Sequence, residues 1–144
     1  MLVQQLATYT GLSDAEIERL LALSPSEIYD DPAYSALIPQ LDEEALKATA
    51  AQVQQIYADH LPALKDKHQL SGSIMSSYTL VNWVLGFLMY PERLPDMLQY
   101  HQRLTSEQVA AMLPDLFTLL DALSEGREAW ETALAVISLP LLAA

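Results

Sequence analysis

Apolar positions along this chain recur every three or four residues, and short polar caps divide the pattern into helices. At five places a leucine followed at once by a residue with a short side-chain oxygen opens an apolar-periodic run: Leu12-Ser13, Leu23-Ser24, Leu41-Asp42, Leu104-Thr105 and Leu123-Ser124. Such an oxygen accepts from an orphan N–H of the first helical turn, so each pair marks a helix start. Ser13/Glu16, Ser24/Glu27 and Thr105/Gln108 have the spacing of a capping box. Leu12/Ile17, Leu23/Ile28, Leu41/Leu46 and Leu104/Val109 have the spacing of a hydrophobic staple. Pro25 falls at a first helical position, where its missing N–H leaves nothing unsatisfied. The start at Ser124 has neither box nor staple.

These signals predict helices over about 2–9, stopped by Gly11, over about 13–22, and a short one from Ser24. Residues 31–39 form a turn or one more short helix between Pro32 and Pro39. A long helix runs from Asp42 to about His60, where Pro62 kinks or restarts it, and it fades near Gln69. Ser71-Gly72-Ser73 is a loop. Further helices are predicted over about 73–90, ended by Pro91, near 92–103, from Thr105 to about 122 with a bend at Pro114, and over about 125–138 with Pro140 closing the last. No segment alternates apolar and polar residues over a strand length, and no Asn-Gly or Asp-Gly hairpin signal occurs. The expected fold class is all-α: one domain over residues 1–144, a bundle of about six to eight helices around a central apolar helix at about 73–90. The likeness between Leu12–Leu21 and Leu104–Leu113 follows from shared capping grammar rather than from duplication.

The central run is the least polar part of the chain. From Gln69 to Tyr90 there is no charged residue, and the 17 residues from Ile74 to Tyr90 reach the lower limit for a membrane span. Ser76, Ser77, Thr79 and Asn82 are expensive in lipid, so a buried bundle helix is expected, with membrane association through 74–90 or the apolar tail Ala133–Ala144 as an alternative. Ser76, Thr79, Asn82 and Gly86 fall on one stripe. The stripe fits close packing. Its alternative is a ligand pocket drawing on Tyr78, Asn82, Trp83 and Tyr100.

Composition then removes whole classes of chemistry. The chain has no cysteine, which excludes disulfides, thiolate catalysis and cysteine-based metal sites. Apolar residues make up 51% and charged residues 18%, which excludes global disorder. No Lys or Arg precedes Arg19, and Asp14, Glu16 and Glu18 interrupt any apolar stretch near the start, so no secretory signal is read and cytoplasmic residence is expected. Phosphate-binding, dinucleotide-binding, zinc-protease and serine-hydrolase motifs are absent, and four glycines leave little material for a phosphate loop. His60 and His68 lie roughly 12 Å apart along a helix, too far to share a metal. No metal or cofactor is expected. Lys65, Lys67 and His68 complement the negative end of the long helix. Tyr100-His101 could act as an acid–base pair, but a surface histidine is the simpler reading. Glu128 and Glu131, one turn apart near Trp130, could do acid–base work; a solvated acidic face is expected.

Charge gives the functional direction. The net charge is −12, and residues 1–46 hold nine acids against the single base Arg19. Such a chain repels phosphate backbones and is drawn to basic surfaces. The candidate contact segment is Glu27-Ile28-Tyr29-Asp30-Asp31-Pro32-Ala33-Tyr34, in which acids steer and Tyr29 and Tyr34 supply contact area. Glu27, Tyr29, Asp30, Asp31 and Tyr34 are therefore the expected partner-binding residues. The leading function is a non-enzymatic acidic binding protein for a basic protein surface, acting as a neutraliser of the immunity-protein kind, an adaptor or a regulator. A small helical enzyme or ligand carrier using the Asn82 stripe is the alternative.

Overall fold

The first half of the chain folds as a relay of short helices that hands over to one long one. The computed structural model describes residues 2–69 and 106–143. Its helices are α1 (Leu2–Thr10), α2 (Asp14–Leu21), α3 (Pro25–Asp30), α4 (Pro32–Ser35), α5 (Glu43–His68), α6 (Ser106–Leu119) and α7 (Arg127–Ala143). Short 3-10 turns cover Ile38–Gln40 and Leu120–Ala122, and no strand occurs among the described residues. The fold class is all-α, as the sequence predicts.

The predicted caps form the hydrogen bonds that their chemistry implies. Gly11 takes φ 79° and its N–H donates to the Ala7 carbonyl at 2.9 Å, which ends α1. Ser13 Oγ accepts from the Glu16 N–H at 3.1 Å, and Asp42 Oδ1 accepts from the Ala45 N–H at 3.1 Å. Around α3 the whole box closes: Ser24 Oγ accepts from the Glu27 N–H, and Glu27 Oε1 accepts from the Ser24 N–H at 3.1 Å. The Ser13 box stays half-made, because Glu16 leans toward Arg19 instead. α6 is described from Ser106 onward, and the predicted start at Thr105 lies outside the described residues.

Pro62 does not restart the helix: α5 is continuous over 26 residues. The proline sits on an exposed face, so water can serve the carbonyl that its missing N–H leaves. The opposite face buries Leu46, Thr49, Val53, Tyr57, Leu61 and Leu64 at helical spacing.

The larger correction concerns the C-terminal segment. α7 passes through Pro140 and continues to Ala143. Every residue from Ala133 to Pro140 is buried, so the helix is covered on all sides. It packs on α1, α2, α3, α5 and α6. The apolar tail is thus core, and none of the described helices is long and apolar enough to cross a membrane. The expected central helix at 73–90, the Ser71–Ser73 loop and the helix near 92–103 lie outside the described residues.

Gly126 sets where α7 begins. It has φ 74°, and a Cβ there would lie 2.9 Å from Thr49 Oγ1. Only glycine avoids both the left-handed strain and that collision. Trp130 Nε1 donates to the same Thr49 hydroxyl at 2.7 Å, and that hydroxyl donates to the Ala45 carbonyl at 2.7 Å. One buried oxygen therefore ties α5 to α7.

Candidate functional site

The structure assigns the five predicted contact residues to different tasks. Tyr34 is 0% exposed, and its hydroxyl donates to the Val136 carbonyl of α7 at 2.9 Å. It therefore presents no contact area to a partner, which corrects the expectation for this residue. The cause is a demand from the core, since Val136 lies four residues before Pro140 and receives no N–H from it. Burial pushes the phenol far above the ordinary tyrosine range, so it remains a donor.

Asp31 and Glu27 are also engaged in the fold. Asp31 accepts from Arg19 Nη1 at 2.7 Å and from Nη2 at 3.1 Å, and its Oδ1 caps α4 through the Ala33 N–H at 2.9 Å. The Arg19 guanidinium, more than any other neighbour, holds the Asp31 carboxyl below its usual range. The Ser24 backbone N–H and then its hydroxyl hold Glu27 low in the same way. Tyr29 is half-buried against the core. Asp30 is exposed at the last position of α3.

The nine acids of residues 1–46 can now be sorted. Glu16 pairs with Arg19, Glu43 pairs with Lys47 at 2.7 Å, Asp42 caps α5, and Glu27 and Asp31 act as above. Asp14, Glu18, Asp30 and Glu44 are exposed, with no side-chain partner among the described residues. Asp14 and Glu44 stand in first turns, where the helix dipole favours a negative charge. Glu18 and Asp30 stand toward C-terminal ends, where it does not.

A second cluster joins α5 to α6. Asp115 Oδ2 lies 2.7 Å from His68 Nε2 and 2.9 Å from Lys67 Nζ. Lys67, and then His68, hold the Asp115 carboxyl below its usual range. The basic last turn of α5 fits its dipole, as predicted, but it also reaches a residue 47 positions away that no local pattern marks. Beside it lies an open groove of about 200 Å³ lined by His60, Ala63, Leu64, Lys67, Asp115, Thr118 and Leu119. The carboxylate fixes the imidazole as it would in a catalytic dyad. The neighbouring Thr118 hydroxyl, however, donates to the Pro114 carbonyl, so this cluster has the form of a helix-to-helix tie.

Glu131 departs from the expected solvated acidic face. It is 6% exposed, accepts from Arg127 Nε at 3.1 Å and, after burial, helps to raise the pKa of the Tyr9 hydroxyl. Arg127 also pairs with Asp121 at 2.6 Å, so the cluster fastens the turn at Leu120–Ala122 to the start of α7. Glu128 remains exposed. Among the described residues no three His, Asp or Glu side chains could hold one metal ion. The possible pocket residues Tyr78, Asn82, Trp83 and Tyr100 lie outside the described residues. Comparison with protein-family models, curated proteins and solved structures finds no match for this chain.

Proposed function

We propose that this chain is a non-enzymatic acidic helical binding protein that engages a basic protein surface, as a neutraliser, adaptor or regulator. The observation that carries this reading is the placement of Glu18 and Asp30. Both are exposed and stand toward the C-terminal ends of α2 and α3, where a carboxylate is unfavourable by roughly 0.3–1 kcal/mol. Capping, dipole compensation and ion pairing among the described residues give them no structural role. They flank the Arg19–Asp31 pair in sequence, and that pair consumes the single base of residues 1–46. The half-buried Tyr29 adds contact area beside Asp30. A net charge of −12 weighs against a nucleic-acid partner.

The test is capture at low salt from a native extract, followed by titration calorimetry against the basic protein recovered. The double variant Glu18→Lys/Asp30→Lys should bind more weakly and with a shallower salt dependence, mainly through slower association. Asp31 is unsuitable for this purpose because its substitution also breaks a fold contact. Unchanged affinity and unchanged salt dependence in the double variant would contradict the reading.

A further inference from the structure

Among the described residues, three helices carry a proline in their interior: Pro62 in α5, Pro114 in α6 and Pro140 in α7. Each removes the N–H that would serve the carbonyl four residues back. Pro62 and Pro114 are exposed, and water can act in place of the lost donor at their helix faces. Pro140 and Val136 are buried, so the Val136 carbonyl needs a donor from the protein. Tyr34 supplies it from 102 residues away in sequence, at 2.9 Å.

The residue that does this lies on an element that cannot stand alone. α4 has four residues, too few to sustain a helix in water. The ion pair beside it, Asp31 with Arg19, is half-exposed on the arginine side and fixes the segment only weakly. Ile28 and Tyr34, both 0% exposed, are the points at which α3 and α4 enter the core. We infer that Tyr34 is a latch: its hydroxyl replaces the donor that Pro140 cannot supply, and residues 25–41 open and close on α7 as one unit through that bond. The latch sets how the acid-bearing segment is held, and it stands whether or not that segment binds a partner.

Amide hydrogen exchange by NMR on the wild type, Tyr34→Phe, Pro140→Ala and the double variant tests it. In the wild type, the Asp31, Ser35, Ala36 and Leu37 amides, all hydrogen-bonded within this segment, should share one opening constant, larger than that of the α7 amides. Tyr34→Phe should raise that constant by about 10- to 100-fold, the effect of leaving a buried carbonyl without a donor. In the Pro140→Ala background the introduced alanine brings its own N–H, and Tyr34→Phe should then change the constant less than about threefold. Tyr57→Phe, whose hydroxyl reaches the Leu116 carbonyl of α6, should have the same effect in both backgrounds. A Tyr34 hydroxyl proton slow enough to observe is expected in the wild type without any substitution. An equal effect of Tyr34→Phe in both backgrounds, unrelated opening constants across residues 31–37, or a freely exchanging Tyr34 hydroxyl would each overturn the latch.

Discussion

α5 and α7 both contain a proline and both continue through it, yet they meet opposite surroundings. α5 buries one stripe and exposes the rest, and Pro62 lies on its wet side. α7 is buried on every side from Ala133 to Pro140, and its proline lies in the dry core. The same covalent defect therefore lies open to solvent in one helix and is met by a tyrosine in the other. The consequence of an interior proline thus depends less on the residue than on whether water can reach the carbonyl four positions back. A helix without an exposed face has a further requirement, since every polar group it carries must find a protein partner. Ser138 donates to the Leu134 carbonyl, Glu131 accepts from Arg127, and the Trp130 indole N–H donates to Thr49.

The two helices meet at Thr49 and Trp130, so substitutions there break the comparison most strongly. Trp130→Ala removes a side chain that is 2% exposed together with the hydrogen bond that the Thr49 hydroxyl accepts, and should cost about 3–5 kcal/mol in urea denaturation. Gly126→Ala should cost about 2–3 kcal/mol, combining left-handed strain with collision against Thr49. Gly11→Ala is the control: φ is 79° but nothing lies within 4 Å of the new Cβ, so about 1 kcal/mol is expected. Equal costs at the two glycines would show that the Thr49 approach is unimportant. Ser24→Ala should cost about 1 kcal/mol and Ser13→Ala less, because only the Ser24 box is closed in both directions.

The smallest effect belongs to Asp31 and shows only in acid. Its folded pKa is depressed, chiefly by Arg19, so its contribution is fully present above the unfolded carboxylate pKa of about 3.9. That contribution is lost as pH falls through the lower folded value. Asp31→Asn retains a capping oxygen for α4 but loses the ion pair. The variant should be less stable than the wild type above about pH 5, and the two stability curves should converge as pH falls through the lower folded value. A difference that persists undiminished to pH 2 would place the role of Asp31 in its cap rather than in its charge.

What is legible in the sequence is local. Ser13, Ser24 and Asp42 start helices because a cap acts within three residues, and a period of 3.6 separates buried from exposed faces within a single helix such as α5. The readings that change depend on distant residues. Pro140 looks like a stop because the local rule removes a hydrogen bond, and nothing nearby announces that Tyr34 restores one. Tyr34 looks like a contact residue because its neighbours are acids and prolines. Glu131 looks solvated because Glu128 beside it is. The Asp115 tie to Lys67 and His68 joins helices that sequence patterning treats separately. One signal in the C-terminal run does point the right way: its apolar residues fill every face rather than one stripe, which is the pattern of a buried helix.

The central claim is that α7 is the dry axis of the described bundle. Native-state hydrogen exchange of its amides from Leu134 to Leu139, set beside the global unfolding free energy from denaturation, tests this most directly. These amides should exchange only through global unfolding, while those on the exposed flank of α5 around Ala58 and Asp59 should exchange through smaller openings. Exchange in α7 as fast as on that flank would contradict the claim.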